Sequence, residues 1–305
     1  MDKVYDVLVM GGGPGGYTAA MYASRAGLSV LVLERLAAGG QMALTHQVDN
    51  YPGFDEGIDG FTLGQKMQQG AERFGAESVF ADVHSVDLEG NVKKLHTDMG
   101  TFLGRTVILA TGANPRKLGL PMEQELTGRG VHYCAACDGM FYRGKTVVLV
   151  GGGNSAVADA LVLSRLAQKV ILVHRRDTLR ASKIYHEQLQ KTENVEFRWN
   201  SEVTELLHGE RLNGVRIRNK VTGKTETISV GGLFISVGRE PATVLFKDQL
   251  QLDDGGYIVA GESTETNLKG VYAVGDVRTK AVRQIVTATA DGAVAAHGIE
   301  EYLAS

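Results

Sequence analysis

The sequence predicts an α/β protein of two domains with parallel sheets, in which the second domain is inserted in the first. Two observations carry this prediction. A strand–turn–helix–strand pattern occurs twice, and a shorter repeat marks where the chain would leave and re-enter the first domain. The 305 residues, 43% of them hydrophobic and 22% charged, suffice for two domains with buried cores.

The first strand–turn–helix–strand pattern starts close to the N-terminus. Val4–Met10 is a short apolar run, typical of a buried parallel strand, and Gly11–Gly16 forms the turn after it. Tyr17–Ala26 is predicted as a helix and Leu28–Leu33 as the next strand, which Glu34 closes. A βαβ unit of about 30 residues with Gly-x-Gly-x-x-Gly in its turn is the fingerprint of a Rossmann-like dinucleotide-binding domain.

The second pattern repeats the first in the middle of the chain. Thr146–Val150 is predicted as a strand, Gly151–Ala156 as the glycine-rich turn, Val157–Leu166 as a helix and Lys169–Val173 as the next strand. One glycine motif is weak evidence and could be a turn without a ligand. Two such motifs, each between a strand and a helix, indicate two dinucleotide sites.

The shorter repeat indicates how the two domains are connected. Val107–Pro115 resembles Leu233–Pro241, since both are apolar strands that end in Gly, with Pro three residues later. Such Gly and Pro punctuation suits exposed connections between domains. We therefore expect the first domain to comprise residues 1–113 and 244–305, and the second residues 114–243.

The C-terminal segment is expected to complete the first domain. Gly270–Asp276 is another apolar strand that ends in a turn. Arg283–Leu303 is predicted as a long helix rich in Ala, Ile and Val.

Charged residues after each turn distinguish the two ligands. Glu34 follows Gly16 by 18 residues, and a carboxylate at this strand end binds ribose hydroxyls and repels a 2′-phosphate. The first site is therefore expected to take FAD or NAD. At the same spacing in the second unit stands His174, with three cations close behind it: Arg175, Arg176 and Arg180. Guanidinium groups suit a 2′-phosphate and predict NADPH, although a solvated basic helix start would show the same charges.

The two cysteines, Cys134 and Cys137, form a Cys-x-x-Cys pair between the two fingerprints. Such a pair predicts disulfide exchange, in which one thiolate attacks and the second thiol resolves the mixed disulfide. Half of a zinc site is an alternative, but it needs two more ligands, and His132 stands alone nearby. Two inert buried thiols are another alternative. Asp138 is either a turn or helix-cap residue or a proton donor and acceptor for the thiols.

Overall composition argues against two classes of partner. A net charge of −3 provides no positive field for nucleic acid, and no apolar stretch approaches the roughly 18 residues of a membrane span. Met1–Asp6 runs directly into a strand-like segment, which leaves no room for a signal peptide. We expect a cytoplasmic protein that binds neither nucleic acid nor membrane, without a metal.

The order of these motifs resembles that of the low-molecular-weight, bacterial-type thioredoxin reductases over nearly the whole chain. The Cys-x-x-Cys within the second domain is the most specific point, because larger disulfide reductases of related fold carry theirs in the first domain. Further matching segments are Gly39–Gln41, Ala110–Gly112, Gly128–Val131, Cys134–Gly139, His174–Asp177, Gly275–Asp276 and Arg283–Gln284.

The resemblance implies the residues that hold two cofactors. FAD would lie in the first domain on Gly11, Gly13, Pro14, Gly15, Gly16, Glu34, Arg35, Gly40, Gln41, Asn50, Val83, Ala110, Thr111, Gly112, Gly275, Asp276, Arg283, Gln284 and Ile285. NADPH would lie in the second on Gly151, Gly153, Asn154, Ser155, Ala156, His174, Arg175, Arg176, Arg180 and Gly238.

The resemblance also implies the reaction. Hydride would pass from NADPH to FAD and electrons from FAD to the Cys134–Cys137 disulfide and then to thioredoxin. Cys137 would lie against the flavin, Cys134 would attack the partner's disulfide, and Asp138 would move a proton. The second domain would rotate about the two connections between these half-reactions, and the protein would be a homodimer.

Alternatives to this reaction stay open at the level of sequence. The chain has Met140 where a Phe is frequent in the family, which affects partner preference, so another thioredoxin-fold protein could be the acceptor. A ferredoxin-fed reductase or dithiol oxidase is disfavoured by the arginines of the second site. A flavoprotein that only senses nucleotides is disfavoured by the cysteine pair.

Overall fold

The computed structural model describes residues 3–35, 37–45 and 47–305. Met1 and Asp2, which belong to the segment from which the absence of a signal peptide was predicted, lie outside the described residues. The chain divides into two compact units. Unit 1 comprises Met1–Asn114 and Glu240–Ser305, and unit 2 comprises Pro115–Arg239. The assignment of a cofactor to each unit stays a prediction.

The strands are β1 Val4–Met10, β2 Val30–Glu34, β3 Glu77–Phe80, β4 Val83–Asp87, β5 Lys93–Thr97, β6 Gly100–Leu109, β7 Ala113–Pro115, β8 Val131–His132, β9 Thr146–Gly151, β10 Lys169–Val173, β11 Val195–Arg198, β12 Ser201–His208, β13 Leu212–Asn219, β14 Thr225–Ile228, β15 Gly232–Ser236, β16 Arg239–Pro241 and β17 Val271–Ala273. The α-helices are α1 Pro14–Arg25, α2 Gly60–Glu72, α3 Ala135–Asp138, α4 Asn154–Ser164, α5 Lys183–Gln190 and α6 Ile285–Ala304. Short 3₁₀ turns cover Gly40–Leu44, Gly139–Tyr142 and Gly275–Val277.

The central sheet of unit 1 has the strand order β3-β2-β1-β6-β5-β4, and β17 also pairs with β6. Strands β3, β2, β1, β6 and β17 are parallel to one another, whereas β5 and β4 extend the sheet with antiparallel pairing. Met10 at the end of β1 pairs with Leu33 of β2 and Leu109 of β6. The carboxyl ends of three strands therefore meet at one edge, where ligands bind in open parallel sheets.

Alternate residues of these strands pack on opposite faces of the unit 1 sheet. Leu8 and Leu31 belong to one core cluster, which also holds Phe246 and Ile258. Val7, Val9, Val30 and Val32 belong to a second cluster, with alanines of α1 and α6. Both faces of the sheet are covered, which explains why its strands read as continuous apolar runs rather than alternating ones.

Unit 2 contains a parallel five-stranded sheet of order β11-β10-β9-β15-β8 and an antiparallel three-stranded sheet of order β12-β13-β14. Val147 and Leu149 face a core cluster that includes residues of α4, whereas Val148 and Val150 face one that includes residues of the three-stranded sheet. Unit 2 is thus built in three layers.

The structure confirms the predicted α/β class but corrects several boundaries. The helix predicted at Tyr17–Ala26 begins at Pro14, because proline is well suited to the first helical position. The helix predicted at Val157–Leu166 likewise begins inside the glycine turn, at Asn154. The predicted Arg283–Leu303 helix begins at Ile285, with Gln284 and Thr287 in a reciprocal capping box.

The connections between the units are themselves short strands. β7 and β16 pair as a two-stranded sheet. Among the helices of the described residues, none is both long and apolar enough to cross a bilayer.

Candidate nucleotide and disulfide sites

The glycine turn of unit 1 combines close packing with one open position. Gly11 has a φ of +108°, and a Cβ there would lie 2.5 Å from the carbonyl oxygen of Ala110. A Cβ on Gly16 would overlap the carbonyl oxygen of Gly11, whereas a Cβ on Gly13 would meet nothing within 4 Å. Gly13 is the N-cap of α1 and has no side chain to cap it, so that the first backbone N–H groups of the helix have no side-chain cap. The turn can therefore accept a pyrophosphate against backbone N–H groups.

Glu34 lies beside this turn, as the spacing predicts. Its two carboxylate oxygens accept hydrogen bonds from the N–H of Gly12 at 2.7 Å and of Arg35 at 2.8 Å. These two hydrogen bonds fix the carboxylate at the end of β2, beside the Gly11–Gly16 turn. Ala81 donates its N–H to the carbonyl of Glu34, so that the segment leading to Val83 passes next to the same strand end.

Other predicted residues of unit 1 lie in hydrogen-bonded pairs. The Gln41 side chain donates to Asn114 at 2.8 Å, and the Asn50 side chain donates to Gln284 at 3.1 Å. The guanidinium of Arg283 donates to the carbonyl of Asp276 at 3.4 Å. These contacts join distant parts of the sequence.

The segment after β6 continues the same edge. Ala110 donates its N–H to Met10, and the Thr111 hydroxyl donates to the carbonyl of Ala242 at 2.9 Å. Gly112 has a φ of +71°, a conformation that L side chains rarely adopt. The structure therefore keeps Ala110–Gly112 beside the Gly11 turn.

A buried ionic cluster fixes the Gly275 turn, and sequence reasoning missed it. Asp291 of α6 accepts hydrogen bonds from the Gly275 N–H at 2.8 Å, from Arg278 at 2.6 and 2.9 Å and from Lys280 at 2.7 Å. The three charged side chains are at most 10% exposed. Burial alone would raise the pKa of Asp291, but hydrogen bonds from Arg278, Lys280 and Gly275 hold this pKa below its ordinary value. The signal in the sequence was a carboxylate within the apolar N-terminal half of α6.

The glycine turn of unit 2 repeats the geometry of the first. A Cβ on Gly151 would overlap the carbonyl oxygen of Ser236, and one on Gly153 would meet nothing within 4 Å. α4 follows Gly153 without a side-chain cap. The open position beside bare helix amides is again suited to a pyrophosphate.

His174 forms the buried wall of this turn rather than an exposed cation. Its ring would overlap a Cβ on Gly152, so that only glycine fits there. The side chain is buried, and burial lowers its pKa, with the neighbouring arginines adding to the fall. Its Nε2 has no hydrogen-bond partner within the described part of the chain.

The predicted arginines surround the same turn. Arg180 donates its backbone N–H to Gly152 at 2.7 Å, which brings the 175–182 segment back to the fingerprint. Asn154 supports this return by accepting from the N–H of Ser182 at 2.9 Å. The side chains of Arg175, Arg176 and Arg180 are exposed and so accessible to a phosphate. Ser155 is exposed and Ala156 buried, and Gly238 follows the strand residue Ser236, which pairs with Gly151.

Cys134 and Cys137 form a disulfide in unit 2, and both are partly exposed. Cys134 caps the short helix α3, and its Sγ accepts a hydrogen bond from the N–H of Cys137 at 3.2 Å. When the pair is reduced, this N–H stabilises a thiolate on Cys134, because hydrogen bonding to the charged form favours it. Within residues 3–35, 37–45 and 47–305, no three His, Cys, Asp or Glu side chains are grouped to hold a metal ion.

Asp138 and His132 are direct partners, a contact that the sequence did not predict. His132 Nδ1 lies 3.0 Å from Asp138 Oδ2, and its Nε2 lies 2.7 Å from the Tyr142 hydroxyl. The pattern His-x-Cys-x-x-Cys-Asp held the signal, but only the fold brings β8 and α3 together.

Comparison with known proteins identifies what the chain resembles. The sequence profile of the pyridine nucleotide-disulphide oxidoreductases matches residues 5–292. A thioredoxin reductase of Streptomyces clavuligerus is 48% identical, with 100% of this chain and 96% of the relative covered. One of Listeria monocytogenes is 46% identical, with 99% and 95% covered. The crystal structure of thioredoxin reductase from Streptococcus pyogenes is 43% identical, has a TM-score of 0.93 and covers 100% of this chain and 99% of its own.

We predict that Asp291→Asn destabilises the protein by about 3–5 kcal/mol at neutral pH, because it leaves two buried cations without their counter-charge. Since the pKa of Asp291 is depressed in the folded state, its contribution is complete above the unfolded value of about 4 and fades as the pH falls below it. Urea unfolding from pH 7 down to pH 3 measures both effects.

The control for this prediction is Glu301→Gln on the same helix, because Glu301 and His297 are both 74% exposed and their pair contributes little. Equal losses in the two variants, or a loss at Asp291 that does not depend on pH, would show that the cluster does not stabilise the fold as an ionic pair.

Proposed function

The chain belongs to the pyridine nucleotide-disulphide oxidoreductases and, within them, to the thioredoxin reductases, and we propose that it reduces the disulfide of thioredoxin with NADPH, through FAD. The observation that carries the proposal is the Cys134–Cys137 disulfide, which lies in the same unit as one open glycine turn while a second open turn lies in the other unit. This combination supplies a redox pair and places for two dinucleotides.

The residues of unit 1 fit FAD. Gly13 leaves room for a pyrophosphate, and the carboxylate of Glu34 beside the turn would bind ribose hydroxyls and repel the 2′-phosphate of NADP. The N-terminus of α6, close to Gln284, would favour negative charge on the ring system. FAD, when bound, takes a hydride from NADPH and releases two electrons to a disulfide.

The residues of unit 2 fit NADPH. Gly153 leaves room for the pyrophosphate, and the exposed guanidinium groups of Arg175, Arg176 and Arg180 can bind the 2′-phosphate by charge-assisted hydrogen bonds. The proposal does not require a positive charge on His174, because its ring contributes by packing against Gly152 of the turn.

The dithiol then passes electrons to the partner. Reduction of the Cys134–Cys137 bond yields a thiolate and a thiol, and the N–H of Cys137 favours the thiolate on Cys134. Cys134 attacks one sulfur of the partner's disulfide, and Cys137 resolves the mixed disulfide, which restores the intramolecular bond. Asp138, directly after Cys137, accepts or donates the proton that this exchange requires.

Thioredoxin is the proposed partner because of the family, and the surface beside the disulfide supports a protein acceptor. Met140 and Phe141 follow α3 and are 50% and 42% exposed, which gives an apolar patch next to the cysteines. Another thioredoxin-fold protein would fit the same chemistry. By analogy with the family, we also infer a homodimer in the cytoplasm, which sedimentation of the purified protein and cell fractionation would test.

We also propose that unit 2 rotates relative to unit 1 between the two half-reactions, because the disulfide and the NADPH site both belong to unit 2 and need the same cofactor in unit 1. Dyes on Glu89→Cys and Glu210→Cys, both exposed positions, report the separation of the units. We expect two populations of molecules that differ in the efficiency of energy transfer between the dyes, and we expect their proportions to change when NADP is added. One efficiency, unchanged in oxidised and reduced protein, would contradict rotation.

We predict that Arg175→Ala with Arg176→Ala lowers the NADPH/NADH ratio of kcat/KM at least about tenfold, because charge-assisted hydrogen bonds worth about 1.5–3 kcal/mol each are lost. The matched control is Arg218→Ala, an arginine of β13 that pairs with Glu202 at 2.7 Å. An unchanged ratio in the double variant would refute this assignment of the phosphate site.

We predict that Cys134→Ser abolishes NADPH-dependent reduction of thioredoxin while NADPH still bleaches the flavin absorbance. The assay couples NADPH oxidation to thioredoxin from the same genome, with insulin as terminal disulfide. Turnover by the wild type that survives in Cys134→Ser would contradict the relay. If NADPH bleaches the flavin absorbance of the wild type but thioredoxin is not reduced, the result would indicate that the partner is another thioredoxin-fold protein.

A further inference from the structure

A chain of three hydrogen-bonded side chains leads from the disulfide motif into the core of unit 2. Asp138 Oδ2 lies 3.0 Å from Nδ1 of His132, and Nε2 of His132 lies 2.7 Å from the hydroxyl of Tyr142. The His132 side chain is only 6% exposed, and Asp138 is 18% exposed. The imidazole is held between aromatic rings, stacked on Phe234 at 5.2 Å and edge-on to Tyr142 at 5.2 Å.

Donor and acceptor chemistry sets the direction of this chain. The positive charge of Arg211 acts on the phenol oxygen of Tyr142, since it lowers the pKa of this phenol. Because arginine is a donor only, the hydroxyl proton of Tyr142 is left to point at Nε2 of His132. A neutral imidazole that accepts at Nε2 carries its proton on Nδ1, and this proton then points at the carboxylate of Asp138.

We propose that His132 is a positioning residue for Asp138: its Nδ1–H holds the carboxylate by Oδ2 beside the Cys134–Cys137 pair and leaves Oδ1 for proton exchange. The inference rests on the proposed function, because it assigns Asp138 the proton transfer of the disulfide reaction. Tyr142 and Arg211 act one step further away, since they select which nitrogen of His132 carries the proton.

Other titratable groups lie around the three hydrogen-bonded side chains Asp138, His132 and Tyr142. Burial raises the pKa of Tyr142, Arg211 opposes this rise and Asp138 adds to it, so that the phenol stays protonated at neutral pH. Burial raises the pKa of the Asp159 carboxyl on α4, and Ser236, Arg239 and Ala135 oppose this rise. Tyr133, on the other side of His132 in sequence, donates instead to the buried carboxylate of Glu123 at 2.8 Å.

The test separates the two nitrogens of His132 by substitution. In His132→Asn the side-chain amide occupies the place of Nδ1 and can still donate to Asp138, whereas in His132→Gln the amide occupies the place of Nε2 and reaches only Tyr142. Turnover with thioredoxin at pH 7 is expected to fall at least tenfold in His132→Gln, part of the roughly 10²–10⁴-fold that general acid–base catalysis contributes. Turnover in His132→Asn is expected to stay within about threefold of the wild type. The low-pH limb of the pH profile should move upward only in His132→Gln.

Two NMR measurements on the oxidised protein do not depend on turnover. The ¹⁵N spectrum of His132 is expected to show the proton on Nδ1, the less common tautomer of a free imidazole, and Tyr142→Phe should weaken this preference. The ¹³C titration of the Asp138 carboxyl should shift to higher pH in His132→Gln and not in His132→Asn.

A proton on Nε2 of His132, or equal turnover and equal carboxyl titration in folded Asn and Gln variants, would overturn the inference. Absence of thioredoxin turnover in the wild type would refute the proposed partner instead, because the NMR measurements still decide which nitrogen holds Asp138.

Discussion

The parallel register of the two sheets is the constraint on which both candidate nucleotide sites depend. In unit 1, the pairing of Met10 with Leu33 and Leu109 ends three strands at one edge, and this edge carries Gly11, Glu34 and Ala110. A shift of one residue in any pair would exchange the side chains of the two buried faces and displace the strand ends from one another. The continuous apolar strands that are buried on both faces of the sheet therefore also bring the candidate site residues together.

Close backbone packing fixes the rest of each turn. At Gly16 in unit 1 and Gly151 in unit 2, a carbonyl oxygen lies where a Cβ would be. Glycine at these positions therefore allows the backbone segments to pack closely. Glycines with nothing within 4 Å, Gly13 and Gly153, mark the side open to a ligand. The two units thus reach the same arrangement from different sequences, and they differ in the charges beside the turn, Glu34 in unit 1 and the arginines in unit 2.

Local patterns sufficed to predict the fold class, both fingerprints and the redox pair, because each is encoded within about 30 residues. Helix starts were displaced because Pro14 and Asn154 continue the helix into turns that the glycines had suggested were irregular. The Asp291 cluster and the partnership of His132 with Asp138 were beyond sequence reasoning, since each depends on contacts between separate elements. The sequence singled out His174 by its spacing from the second glycine turn, but only the structure shows that its side chain is buried against Gly152.

The central claim is that electrons from NADPH reach the Cys134–Cys137 disulfide within this chain. The most direct test adds one equivalent of NADPH to the oxidised, FAD-containing protein without oxygen, traps thiols with iodoacetamide and measures alkylation of each cysteine by mass spectrometry. The account predicts alkylation of both cysteines, with Cys134 modified faster because its thiolate is stabilised by the N–H of Cys137. An intact Cys134–Cys137 disulfide after the NADPH has been consumed would contradict it.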